Sequence, residues 1–142
     1  MSRALSPSIP GAVNATVMRL EAPISFWGGV DYETGTIIDI THPQRSQRIR
    51  GHCLVIPSIR GSGGTPGNLA DTIRRGCGPA GIVLGYPDIN VMVGIKVANK
   101  LYDRLCPLFV CTPAQLDEFR SGERANILET GAYTLDPEYP QE

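Results

Sequence analysis

The spacing of apolar positions predicts a chain of short strands separated by turns. Residues 12–20 alternate apolar and polar side chains, with Val13, Ala15 and Val17 on one side, which is typical of a strand with one buried face. Three later segments are continuously apolar, as expected for central strands buried on both faces. They are residues 53–57, 80–84 and 107–111.

Helices are predicted after each of these buried strands. The helix-period segments are 68–75, 89–101 and 113–120. Asn68 is a plausible N-cap of the first helix, and Gly76 is a plausible C-terminal stop. Thr112 is expected to cap the third helix, because Pro113 follows it at the first helical position.

The remaining segments are shorter. Residues 1–10 contain Pro7 and Pro10 and have no strand or helix period, so they are predicted to form a loose arm. Residues 36–40 are rich in β-branched side chains and predict a strand. The tail predicts one or two short strands, at 126–128 and 132–135.

Alternation of strand and helix predicts a layered α/β fold with a small parallel sheet and right-handed crossovers. The early strands are expected to form a second sheet or a partial barrel against it. The length of 142 residues favours one domain, residues 1–142.

Charge argues against a nucleic-acid partner or an anionic membrane, because the net charge is only −1. The charge is uneven: residues 1–75 carry eight Arg and five acids, and the remainder carries five bases and nine acids.

Glycines and prolines interrupt the longest apolar stretch, which is too short for a membrane span. We expect a cytoplasmic protein, because the N-terminus lacks a signal peptide's apolar core.

The four cysteines predict buried or half-buried thiols rather than a metal site. Cys53, Cys77, Cys106 and Cys111 include no C-x-x-C pair. Cys106 and Cys111 flank an apolar strand, which is a poor metal loop. We therefore expect no metal bound by this chain alone.

The strongest chemical feature is a glycine-rich loop between a buried strand and a helix. Four of the seven residues 61–67 are glycine, and Ser62 lies among them. Sites in open α/β sheets lie beyond the carboxyl ends of strands, where a helix start offers free N–H groups to an anion. The loop lacks the lysine of a P-loop, the third glycine of a dinucleotide fingerprint and a nucleophile elbow. A flexible turn that caps the helix is an equally open interpretation.

No other residue completes this site. Ser62 needs an activating base or a strong electrostatic environment, and the only histidines, His42 and His52, are expected at the surface or in turns. Trp27 either lines a pocket or packs in the core or at its edge. The loop with Arg45, Arg48 and Arg50 either meets an anion or is solvated. The residues indicate half of an active site, with the rest supplied by another chain.

Several motifs resemble the small swivelling part of the aconitase X family. The similar segments are 24–31 (with Phe-Trp-Gly-Gly-Val-Asp at 26–31), 34–39 with His42-Pro43, 51–57, Arg60-Gly61-Ser62, 78–83 and the Gly94 region. The resemblance extends over roughly residues 11–122.

The resemblance implies a β/β/α swivelling domain that acts as the small subunit of a dehydratase. It places the catalytic base at Ser62 and substrate contacts at Gly61, Gly63, Gly64 and Thr65. It implies a large subunit, in a heterodimer or higher assembly, that holds an iron–sulfur cluster as Lewis acid for the leaving hydroxide. Relatives often carry hydroxyl residues directly after the serine, whereas this chain has two glycines.

The implied substrate is a small carboxylate. Some members of the family dehydrate cis-3-hydroxy-L-proline, which we favour here, and others dehydrate mevalonate 5-phosphate. Two further hypotheses stay open: a non-catalytic regulatory or assembly subunit, and a stand-alone module that binds an anion at residues 61–67.

Overall fold

The computed structural model describes residues 4–59 and 65–137. Within these ranges the chain forms nine strands and four helices. The strands are β1 (Ser6–Ile9), β2 (Val13–Arg19), β3 (Val30–Asp31), β4 (Thr36–Ile37), β5 (Cys53–Ile56), β6 (Gly81–Leu84), β7 (Leu108–Val110), β8 (Arg124–Ile127) and β9 (Tyr133–Asp136). The helices are α1 (Phe26–Gly29), α2 (Thr65–Arg74), α3 (Ile89–Tyr102) and α4 (Pro113–Leu116).

Seven of the described strands form one mixed sheet in the order β1-β7-β6-β5-β2-β8-β9. The central strands β2, β5, β6 and β7 are parallel, and β1, β8 and β9 pair antiparallel at the two sides. Helix α2 connects β5 to β6, and α3 connects β6 to β7. The predicted α/β class, with its small parallel sheet, is confirmed.

Strand β2 joins the parallel strands to the antiparallel pair β8 and β9, which we call the tail hairpin. The sheet is thereby curled into a half-barrel. Its first part pairs with β8, from Val13 opposite Ile127. Its last part pairs with β5, from Val17 opposite Cys53. The expected second sheet is thus a continuation of the first, and only β3 and β4 form a separate ribbon among the described strands.

Two apolar cores lie on opposite faces of the parallel strands, because successive side chains of a strand point to opposite faces. Leu54 and Ile56 of β5 pack with the cluster that includes the helices α2 and α3. Cys53 and Val55 pack on the other face, in the cluster that includes the tail hairpin. All four are fully buried, which explains why β5 is apolar without alternation.

Helices α2 and α3 pack closely because Gly94 has no side chain. A Cβ atom at Gly94 would lie 2.9 Å from the carbonyl oxygen of Pro66. Helix α2 ends where predicted, with Gly76 at a φ of 77°, a left-handed conformation that favours glycine. It begins earlier than predicted, at Thr65. Pro66 is tolerated in the first turn because N–H groups there have no hydrogen-bond acceptor within the helix, so the N–H that proline lacks costs no helical hydrogen bond.

The predicted loose arm at 1–10 is wrong for its described part. Residues Ser6–Ile9 form strand β1 at the edge of the sheet beside β7. Pro7 fits there because one side of an edge strand has no neighbouring strand, so an N–H on that side is not needed for a hydrogen bond within the sheet. Leu5 and Ile9 are buried, so contacts with distant strands order a segment that has no local period.

Two other elements are shorter than predicted. The strand expected over 36–40 ends at Ile37, and Ile38 and Ile40 are exposed. The helix expected over 113–120 ends at Leu116. Its N-terminus is as predicted: the Thr112 hydroxyl accepts from the Gln115 N–H, and the Gln115 side chain accepts from the Thr112 N–H.

None of the helices in the described ranges has the length and apolar character to cross a membrane.

Candidate active site

The predicted site lies where β5 leads into α2, at the carboxyl ends of the parallel strands. Gly61, Ser62, Gly63 and Gly64 lie outside the described residues, so their predicted roles stay predictions. Thr65 is described and begins α2. Its side chain is fully buried, and its hydroxyl has no hydrogen-bond partner among the described residues.

Tyr86 holds the chain directly before the predicted loop. The Ile59 N–H donates to the Tyr86 hydroxyl at 3.1 Å, and that hydroxyl donates to the Ile59 carbonyl at 3.2 Å. Ile59 also bridges to Ile24 in a parallel pairing. Sequence reasoning missed Tyr86, although its position two residues after β6 puts it at the carboxyl end of a buried strand, where site residues gather.

The side-chain amide of Asn68 links α2 to the α1 turn. The Asn68 Nδ2 donates to the carbonyl oxygens of Phe26 and Val30, the second at 3.1 Å. The prediction that Asn68 caps the helix is therefore wrong. Its amide instead fixes the segment that contains Trp27, whose side chain is 63% exposed.

The two histidines contribute to turns rather than to this site. His42 was expected at the surface or in a turn, yet it is 5% exposed. Its Nδ1 accepts from the Gln44 N–H, and its Nε2 contacts the Ala22 carbonyl oxygen at 3.1 Å. Because Nδ1 is an acceptor, Nε2 carries the proton and donates. His52 contacts the carbonyl oxygen of Arg50 through Nδ1.

The cysteines are buried or half-buried, as the sequence predicts. Arg45, Arg48 and Arg50 are exposed, which fits both a solvated loop and a loop that meets an anion. Cys53, Cys106 and Cys111 are buried, Cys77 is half-buried, and all four are free thiols. Burial raises the pKa of Cys53 and of Cys106 to about 12, and that of Cys111 to about 11.

We expect Cys77 to be the one thiol of the native chain that reacts rapidly with an aromatic disulfide reagent at about pH 8. Thiolates react and thiols do not, and the three buried cysteines remain protonated and inaccessible. Absorbance of the released thiol counts the reactive groups before and after denaturation. The Cys77→Ser variant is the control and loses the rapid phase. A second rapid thiol in the native chain would contradict the burial of the other three.

The described residues offer no ligand set for a metal ion or a cluster. Within 4–59 and 65–137, no three side chains of His, Cys, Asp or Glu come together in a way that would hold one. Cys53, Cys106 and Cys111 are structural members of buried strands or their ends, and their raised pKa values disfavour the thiolate that a metal requires.

The chain matches the family model of the aconitase X swivel domain over residues 4–135. It belongs to that family. The match includes both of the described ranges almost completely, and with them the Phe26–Gly29 turn, the start of α2 and Tyr86.

Curated relatives from the aconitase X family fall into two groups. The chain is 34% identical to the cis-3-hydroxy-L-proline dehydratase of Pseudomonas aeruginosa over 121 residues, which are 85% of this chain and 21% of that protein. It is 33% identical to the phosphomevalonate dehydratase small subunit of Methanopyrus kandleri over 122 residues, which are 84% of each chain. The chain spans about a fifth of the length of the cis-3-hydroxy-L-proline dehydratases that it matches.

The same fold is present in the holo-form crystal structure of aconitase X from Thermococcus kodakaraensis. The TM-score is 0.80 at 23% identity, with 93% of this chain and 95% of that chain covered. This similarity confirms the swivel fold of the family.

Proposed function

We propose that residues 1–142 form a single swivel domain, the small subunit of an aconitase-X-type hydro-lyase. The observation that carries this proposal is the buried hydroxyl of Thr65 at the first residue of α2, which has no hydrogen-bond partner within residues 4–59 and 65–137. A buried hydroxyl without a partner costs free energy, on the order of 1–3 kcal/mol. A ligand oxygen at the start of the helix would offset that cost.

The start of α2 suits the carboxylate of a substrate. The first N–H groups of a helix have no partner within the helix and carry partial positive charge. Helix α2 has ten residues, and no acidic residue occupies its first turn. Together with the Thr65 hydroxyl, these N–H groups provide donors for a small anion. The neighbouring Gly61, Gly63 and Gly64 would let the substrate approach the backbone closely.

Ser62 is proposed as the base of the elimination. Both candidate substrates are carboxylates with a hydroxyl on the second carbon from the carboxyl group. The Ser62 oxygen would take the proton from the carbon between them, the C–H electrons would form the double bond, and the hydroxyl would leave with its own bonding pair. Because Ser62 precedes α2 by only three residues, we propose that the N–H groups of the helix start favour its ionised form.

The leaving hydroxyl needs a group that this chain does not supply among its described residues. We propose that a large subunit completes the site and holds an iron–sulfur cluster, since the described part of the chain contains no suitable ligand set. We accordingly assign to this chain the carboxylate contacts and the proton transfer. The name of the Methanopyrus relative, a small subunit, supports a partner for this chain.

The favoured substrate is cis-3-hydroxy-L-proline, and mevalonate 5-phosphate is the second candidate. The relatives named for the first and the second substrate have nearly equal identities to this chain, 34% and 33%. Both substrates carry a carboxylate that the start of α2 would bind, so both belong in the same experiment.

Reconstitution with the large aconitase X subunit of the same genome tests the proposal. The two chains are co-expressed and purified without oxygen, and dehydration of each substrate is followed for the complex and for each chain alone. We expect turnover of one substrate by the complex and none by either chain alone. A stable complex that turns over neither substrate would contradict the catalytic proposal, and saturable binding of either substrate by this chain alone would favour the stand-alone anion module.

A further inference from the structure

An exposed tryptophan lies beside the start of α2. The Trp27 side chain is 63% exposed, although an indole ring is among the side chains that gain most from burial. Ile38 is 46% exposed and adjoins the same turn, because its N–H donates to the Gly29 carbonyl at 2.9 Å. We refer to Trp27 and Ile38 as the Trp27 patch.

The backbone under Trp27 is firmly held. The Phe26 and Val30 side chains are buried, 0% and 3% exposed, and anchor both ends of the turn. The Asn68 amide donates to the carbonyl oxygens of these two residues, and the Ser25 hydroxyl donates to the Trp27 carbonyl at 2.8 Å. The indole is therefore presented on an ordered backbone, so little additional ordering is needed when it binds.

We infer that the Trp27 patch is the contact through which this chain docks on a larger protein chain, with the indole inserted into an apolar pocket of that chain. The inference rests on the proposed function, which assigns a large subunit to complete the site. Trp and other aromatic anchors dominate the energy of protein interfaces when a pocket of the partner desolvates them.

The position of the patch favours this partner over others. Asn68 links the patch to the first turns of α2, and Ile24, three residues before Trp27, bridges to Ile59, three residues after the end of β5. We therefore expect a chain that completes a site at the carboxyl ends of β5 and β6 to pass beside Trp27. No side chain of this turn, from Ser25 to Val30, is charged, which suits an apolar pocket rather than an ionic contact.

A second exposed apolar surface provides the comparison. Ile89, Val93, Val97 and Leu101 form a stripe along α3 and are 36–70% exposed. Lys96 and Lys100 lie on the same exposed side of that helix. Leu101 is 65% exposed, close to the value for Trp27, so it supplies a control position of similar exposure away from the Phe26–Val30 turn.

The first experiment measures the dissociation constant of the full-length chain for the purified large aconitase X subunit of the same genome. We expect Trp27→Ala to weaken binding by about 30-fold or more, the effect of losing an anchor residue. Trp27→Phe retains a smaller ring and is expected to lose less. Leu101→Ala is expected to change binding by less than about threefold. Thermal unfolding of each variant establishes that the free chain is folded.

The second experiment uses the fact that Trp27 is the only tryptophan in the chain. Labelling this chain alone with 5-fluorotryptophan gives a single fluorine resonance. We expect that resonance to shift when the large subunit is added and to stay unchanged when either substrate is added to the isolated chain.

These measurements separate the interface from the catalysis because binding is read without turnover. Normal binding by Trp27→Ala, or an unshifted resonance in the complex, would overturn the interface while an active complex still supported the proposed function. Loss of binding in Leu101→Ala instead would assign the interface to α3. Strong dependence of binding on Trp27 in a complex without dehydratase activity would support the interface and contradict the function.

Discussion

Ser62→Ala in the assembled complex is expected to lower kcat by about 10²–10⁴-fold, the usual contribution of a positioned general base. Alanine removes the oxygen that would take the proton and leaves the backbone N–H groups of the loop in place. The KM should change much less, because the carboxylate contacts are assigned to the helix start and to Thr65. Steady-state rates on the substrate that the wild type uses provide the measurement.

The matched control for this variant is Ser58→Ala. Ser58 lies in the same connection between β5 and α2, and it is partly exposed. We expect it to retain kcat within about threefold, as substitutions outside the reacting groups usually do. If Ser62→Ala assembles normally and retains wild-type turnover, Ser62 is not the base, and the regulatory or assembly hypothesis becomes the better account of this chain.

Phe109→Ala is expected to lower the free energy of unfolding by about 3–5 kcal/mol, the cost of a large cavity in a core. Phe109 is central in β7 and fully buried, with 0% exposure. Its ring belongs to the core between the parallel strands and the tail hairpin, together with Phe119 and Tyr133. The rings of Phe119 and Tyr133 stack on each other with 5.4 Å between their centroids. We therefore expect them not to move into the cavity that Phe109→Ala would leave.

Urea unfolding followed by circular dichroism measures this loss as a lower midpoint at an unchanged slope. Val110→Ala, on the same strand, is the control. Val110 is only half-buried. We expect Val110→Ala to lower the free energy of unfolding by about 1 kcal/mol, because it removes two partly exposed methyl groups. Equal losses for the two variants would show that Phe109 does not fill the core as the structure places it.

Much of the fold could be predicted from local patterns, because burial on both faces leaves a direct trace in the sequence. The apolar runs predicted β5, β6 and β7 to within a residue or two at each end. Gly76 and Thr112 marked helix boundaries through local chemistry, a left-handed backbone in one case and a side-chain cap in the other.

The candidate site was only partly predictable. A glycine-rich loop between a buried strand and a helix directed attention to residues 61–65, because strand ends and helix starts are where ligands bind. Tyr86 also follows a buried strand, so the same rule places it near the site, but the hydrogen bonds of Tyr86 and Asn68 could not be assigned from the sequence. Their partners, Ile59 for Tyr86 and Phe26 and Val30 for Asn68, are 27 to 42 residues away in the sequence, and no periodicity encodes such a pairing.

The sequence by itself determined the α/β class, the buried strands, the helices between them, the position of the loop and the resemblance to the aconitase X family. Only the tertiary structure decided that residues 6–9 form a strand, that His42 is buried and that Trp27 is exposed. The physical reason is the range of the interactions. Hydrophobic periodicity, helix caps and glycine turns act within a few residues, whereas burial and edge pairing depend on segments that meet only after the chain has folded.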